Sequence, residues 1–191
     1  MPLTPAPFHS EIAFGAVGGS AYWAQTSDGH HLRLGVWRRE AAKGTVLIFP
    51  GRTEFIEKYD LCADALAQRG FASMAIDWRG QGLADRLLDN PLIGHVAHFS
   101  DYQKDVDALV RAARHLEMPR PFFLLAHSMG GAIGLRAAME GLSVQATAFT
   151  GPLLGIRIAP HLRPAAWLLG HVIPRVGQGH RLPPRTSIAH P

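Results

Sequence analysis

The chain has 191 residues, 47% hydrophobic and 18% charged, which excludes a disordered chain or a coiled coil and suits one domain with a real core. A single cysteine, Cys62, excludes an internal disulfide framework and a Cys-rich zinc site. The net charge of +4 is uneven: residues 1–141 hold 14 Lys+Arg against all 15 Asp+Glu, while residues 142–191 hold five arginines and no acid.

No Lys/Arg cluster with interleaved aromatics occurs, so a nearly neutral domain with a basic tail is expected, and nucleic acid is not an expected partner. Contact of that tail with an anionic lipid surface stays open. No apolar run approaches the ~20 residues of a membrane helix. The start, Met1 to Pro7, lacks the basic and apolar regions of a signal peptide, so a soluble cytoplasmic protein is expected.

In chain order, Ala21–Gln25 and His31–Trp37 read as strands joined by a hairpin turn at Ser27-Asp28-Gly29. Leu32, Leu34 and Val36 alternate with His31, Arg33 and Gly35, which predicts a half-buried strand. Thr45–Phe49 is continuously apolar and predicts a strand covered on both faces. A helix is expected from Ile56 to Gln68, with Tyr59, Cys62, Ala63 and Leu66 on one face and Gly70 at its end. Phe71–Asp77 is the next buried strand, followed by the loop Arg79-Gly80-Gln81-Gly82.

Ser100 with Gln103 three residues on predicts a capping box at the start of a helix that Pro119 and Pro121 stop. Phe122–Ala126 predicts a strand, Met129–Met139 a helix and Val144–Phe149 a last strand. Strands alternate with helices from residue 45 onward, so the expected fold class is α/β: a mostly parallel sheet with helices on both faces and an antiparallel N-terminal hairpin. After Thr150 the pattern gives way to proline-rich sequence with short helical pieces such as Pro164–Gly170.

The segment from Phe122 to Ala132 carries the chemistry. A buried strand runs straight into a helix through His127-Ser128-Met129-Gly130-Gly131, with Ser128 at the apex. In the G-x-S-x-G elbow, small residues two before and two after the serine let strand and helix approach closely; here these are Ala126 and Gly130. A lone Ser-x-Gly occurs in ordinary turns, but the strand before it and the helix after it favour the elbow. The turn lifts the hydroxyl to the carboxyl end of the sheet, and the helix start offers the Met129 N–H to an oxyanion. The second donor should come from the loop after Thr45–Phe49, where Gly51 permits a sharp turn that leaves the Arg52 N–H pointing into the site.

With these residues, and with Asp77-Trp78-Arg79-Gly80-Gln81-Gly82 and His95 to Tyr102 between them, the sequence resembles the α/β-hydrolases. Within them it resembles the lysophospholipase and monoacylglycerol-lipase group, also described as serine-aminopeptidase-like. Phe49-Pro50-Gly51-Arg52-Thr53-Glu54 is similar to bacterial lysophospholipases in particular, where Pro-Gly-Arg-Thr-Glu stands in place of His-Gly. The resemblance implies a serine nucleophile, then an acid, then a histidine, and a helical cap that forms an acyl pocket. Gly151 to Arg157 looks like the start of that cap.

The chain departs from this order. After Ser128 it has no aspartate, and its one acid, Glu140, lies at the far end of the following helix. His161, His171, His180 and His190 follow no plausible final strand. The expectation is therefore a C-terminally truncated hydrolase lacking its last strands: a core over 1–151, a partial cap over 152–176 and a disordered tail over 177–191. A natural truncation, a frameshift or a fragment would each produce it.

The resemblance thus implies a serine hydrolase acting on lipid esters, lysophospholipids or monoacylglycerols. Ser128 is its nucleophile, the Arg52 and Met129 N–H groups form its oxyanion hole, and base and acid lie outside this chain. No cofactor and no metal are implied. The alternative is an inactive fragment that only binds a lipid or a partner, and a peptidase or acyltransferase would share the elbow. His30 and His31 point to opposite faces of a strand, and His95 and His98 precede a helix without a metal motif, so a structural role is favoured for His95. Asp77 reads as orienting the 79–82 loop, Asp101, Asp105 and Asp107 as favourable charge at a helix start, and Cys62 as core. Oligomeric state is left open.

Overall fold

A computed structural model describes residues 3–15, 18–155 and 159–171. Seven strands form one sheet: β1 (Thr4–Ala6), β2 (Ser20–Gln25), β3 (His31–Trp37), β4 (Thr45–Phe49), β5 (Ala72–Asp77), β6 (Phe122–His127) and β7 (Thr147–Thr150). Their order is β1-β2-β3-β5-β4-β6-β7. The first three pairings, β1 to β2, β2 to β3 and β3 to β5, are antiparallel. The pairings of β5, β4, β6 and β7 are parallel, as strand–helix–strand connections require. Residue alternation sends Leu47, Phe49, Met74, Ile76, Leu124 and Ala126 to one face, where α2 (Tyr102–His115) and α3 (Ser128–Met139) cover them. Val46, Ile48 and Ala75 face the other side, under Ile56 and under Ala63 of α1 (Asp60–Gln68).

The expected fold class therefore holds, with local differences. β1 has no sequence signal because Thr4-Pro5-Ala6 is short and contains a proline; it survives as an edge strand, where proline is tolerated. The stretch expected to be helical from Ile56 opens as a 3-10 turn, Ile56–Tyr59, before α1. The Ser100/Gln103 capping box does not form. A 3-10 turn, Phe99–Asp101, precedes α2; the Asp101 carboxylate accepts the His98 N–H at 3.2 Å, and the Gln103 amide donates to the Ile133 carbonyl instead.

β3 is not half-buried: every residue after His31 is buried, Arg33 included. Arg33 enters the interior because it is neutralised there. Its guanidinium donates to Glu57 at 2.8 and 2.9 Å and to Asp77 at 2.8 Å. Cys62 of α1 is half-buried against the core on the Val46 and Ile48 side of the sheet, and burial pushes its thiol upward.

The chain divides into two compact units, Met1–Leu154 and Gly155–Pro191. The second contributes a 3-10 turn at Pro160–Leu162 and α4 (Arg163–His171). The expected cap segment 152–176 lies partly outside the described residues, and the expected tail 177–191 lies wholly outside them. Among the described residues no helix is long and apolar enough to cross a membrane.

Candidate active site

Ser128 is the first residue of α3, directly after β6, and it is half-buried at the strand–helix junction. Its φ of +49° is the left-handed region that non-glycine residues rarely adopt. Such backbone costs on the order of 1–3 kcal/mol and persists only where the surroundings over-determine it. They do so here through close approach. A Cβ at Gly130 would stand 2.2 Å from the Phe49 carbonyl and 2.5 Å from the Pro50 carbonyl, so α3 meets the end of β4 only because residue 130 has no side chain.

The loop after β4 is fixed from several sides. The Trp78 indole N–H donates to the Pro50 carbonyl at 3.0 Å, and Trp78 stacks edge-on with Phe49 at 5.1 Å. Gly51 lies beside the elbow; a Cβ there would stand 3.2 Å from His127 Cδ2. The Gly51 N–H donates to Glu54 Oε2 at 2.6 Å, and the Thr53 N–H donates to Gln81 Oε1. Thr53 itself has a φ of +62°. Between these two engaged amides, the Arg52 N–H has no acceptor among the described residues. The exposed Arg52 guanidinium reaches the Gly94 carbonyl at 3.2 Å.

Glu54 receives the Tyr59 hydroxyl at 2.6 Å and Lys58 Nζ at 2.5 Å besides the Gly51 amide. Burial pushes its carboxyl upward, but the bonds from Lys58, Tyr59 and Gly51 outweigh it and hold Glu54 below the usual range. Tyr59 moves the opposite way: burial, then the bond to Glu54, raises its hydroxyl.

Asp77 ties the loop at the end of β5 in place. One oxygen accepts the Ile56 N–H at 2.9 Å, and the other accepts Leu83 N–H at 2.9 Å and Arg33 Nε at 2.8 Å. The next charge, Arg79, is buried and pairs with Asp28 of the hairpin turn and with Asp105 of α2. Asp105 stands in the first turn of α2 as expected, and it is fully buried there as the partner of Arg79. The Arg79 bond holds the Asp28 carboxyl far below its ordinary value. His95 contributes its backbone carbonyl, 2.6 Å from where a Cβ of Gly80 would stand.

Sequence reasoning thus singled out Ser128, Met129 and Arg52, and the structure brings their segments to one corner of the sheet. It did not find Glu54, Gln81 or Trp78 as parts of the same corner. Their one signal was membership of the quoted motifs; their contacts span up to 48 residues of chain and leave no periodic trace. His127 is held away by Thr150, whose carbonyl lies 3.0 Å and hydroxyl 2.9 Å from its Nδ1. Among the described residues no histidine or carboxylate hydrogen-bonds the Ser128 hydroxyl.

The sheet order and the strained serine between β6 and α3 define the α/β-hydrolase class. Residues 40–190 match the family described as serine aminopeptidase, S33, and the chain belongs to that family. It is 42% identical over 114 residues to lysophospholipase L2 of Escherichia coli K12, covering 59% of this chain and 34% of the relative. It is 29% identical over 168 residues to the monoglyceride lipase of Rattus norvegicus, covering 80% and 50%. A soluble variant of monoglyceride lipase from Saccharomyces cerevisiae superposes with a TM-score of 0.56 at 22% identity, covering 88% of this chain and 54% of that one. The chain spans about a third to a half of the length of these curated relatives.

Proposed function

We propose that this chain carries the nucleophile and oxyanion half of a serine hydrolase that cleaves carboxylic esters of lipids. Ser128 attacks the ester carbonyl, and the Met129 and Arg52 N–H groups receive the negative charge that forms on the carbonyl oxygen. Two amides fixed before the reaction need no reorganisation as that charge develops; removing one such donor typically lowers kcat by about 10²–10³. The carrying observation is the positive φ of Ser128 at the strand–helix junction, beside a loop whose Arg52 amide has no protein acceptor among the described residues. Ser128 needs a histidine to take its proton and an acid to orient that histidine. In this reading neither comes from the described residues around it, so the reactivity expected of this chain is the residual one that an oxyanion hole supplies without a complete triad, about 10³–10⁴-fold over water.

Lysophospholipids and monoacylglycerols are the substrate classes that the names of the relatives suggest. One feature favours the former. The Arg52 guanidinium is exposed at the rim and has no carboxylate partner among the described residues, so a phosphate-bearing headgroup would find a cation there.

The test is treatment of the 191-residue chain with a fluorophosphonate, together with turnover of a short-chain p-nitrophenyl ester. Labelling or turnover lost in Ser128→Ala supports the reading. A folded chain with neither would replace it by a non-catalytic fragment that binds a lipid or a partner.

A further inference from the structure

We propose that Glu54 and Gln81 are positioning residues of the oxyanion site, engaging the amides on either side of Arg52 so that the Arg52 N–H is held as the turn's free donor. The inference rests on the oxyanion role proposed above for Arg52 and adds the device that maintains it. A tight turn with three consecutive amides can rotate any of them toward solvent or toward its own carbonyls. Here the first, Gly51, is bound by Glu54 Oε2, and the third, Thr53, by Gln81 Oε1.

Both acceptors are themselves anchored. Glu54 is fixed by Tyr59 and Lys58. Gln81 is buried, and its amide nitrogen donates to Met129 Sδ at 3.6 Å, in the first turn of the nucleophile's helix. Gln81 therefore spans the two segments that supply the two donors: its oxygen holds the Arg52 turn and its nitrogen touches Met129. The loop that carries Gln81 is fixed in turn by Asp77 and by the Arg79–Asp105 pair. Neither side chain needs to touch substrate; each acts through the Arg52 amide.

The experiment compares wild type with Glu54→Leu, Glu54→Gln and Gln81→Met. The leucine and methionine remove the acceptor at similar volume, and the glutamine keeps an oxygen for Gly51. Two quantities are read on each chain: the second-order rate of Ser128 labelling by a small fluorophosphonate, and amide hydrogen exchange at Gly51, Arg52 and Thr53 against Leu47 and Ile48 of β4 as internal control.

The expected result is a labelling rate lowered about tenfold or more in Glu54→Leu and Gln81→Met, a fraction of the loss of a whole oxyanion donor. Glu54→Gln should stay within about threefold of wild type, since an oxygen still accepts the Gly51 N–H. Exchange should rise at residues 51–53 and stay unchanged in β4. Where turnover is measured, kcat should fall with KM unchanged. Labelling at the wild-type rate in Glu54→Leu and Gln81→Met, with exchange raised, would overturn the positioning role while leaving the hydrolase reading intact. Exchange unchanged at residues 51–53 in both variants would overturn it as well. A wild-type chain that never labels would instead overturn the hydrolase reading, before any variant is compared.

Discussion

The two ends of the parallel sheet region are built by opposite means. Around the carboxyl ends of β4, β5 and β6, buried ions, an indole and two positive-φ residues hold loops in fixed positions. Along β7 and the outer side of α3, every residue of β7 is exposed, and Leu135, Met139, Leu153 and Leu154 lie open. Packing alone would favour the reverse, since apolar groups gain from burial and ions lose by it. The ions are inside because each is matched. Arg33 meets Glu57 and Asp77, and Arg79 meets Asp28 and Asp105, so the desolvation cost is offset and loop geometry is specified in return. Stability and order in this chain should therefore concentrate at the site end, and substitutions can test that contrast.

The largest effect is expected from Asp77→Ala. It removes a partner of buried Arg33 and orphans the Ile56 and Leu83 amides at once. Breaking a buried ion pair on one side costs about 3–5 kcal/mol, a large share of a domain's ordinary stability of about 5–15 kcal/mol. Urea unfolding should show the midpoint collapse, and a loss below about 1 kcal/mol would show that the network does not hold this end.

Gly130→Ala comes next. Its new methyl would lie on two backbone carbonyls that cannot swing aside, so α3 must move from β4. Overpacking of this kind costs typically 1–3 kcal/mol, and about 3 kcal/mol is expected because the obstacle is main chain. The same displacement should separate Ser128 from the Arg52 turn, so labelling should fall further than stability alone explains.

Acid sharpens the comparison without mutating the core. The Asp28 carboxyl is held below its unfolded value by Arg79, so it stabilises the fold above the unfolded pKa of about 4 and loses that contribution as pH falls further. Thermal unfolding of wild type should weaken on acidification below about pH 4, and Asp28→Asn should flatten that slope while lowering stability at neutral pH. An identical acid slope in both chains would mean that Asp28 is not a linked group.

How much of this was legible beforehand follows from the range of the interactions. β4, β6 and α3 are written in local apolar patterns, and the elbow in five consecutive residues, so both could be read along the chain. The burial of Arg33 and Asp105 could not. Strand alternation and helix-start charge are rules for solvent-facing positions, and both residues obey partners 44 and 26 residues away. Gln81 sits in a glycine-punctuated loop that fits many turns; its task is defined by Thr53 and Met129, which no spacing rule links to it.

The smallest effect is expected where the molecule is open. Met139 ends α3 with 82% of its surface exposed, so replacing it removes almost no buried area. Glutamine has a similar helix propensity and a similar length, and surface changes of this kind stay within about 0.5 kcal/mol. Met139→Gln should leave the urea midpoint in place while reducing binding of a hydrophobic dye, because Leu135, Leu153 and Leu154 border the same apolar surface. A midpoint shift as large as that of Gly130→Ala would mean that this side of α3 is covered in solution, and the contrast between the two ends of the sheet would then be one of partners rather than of construction.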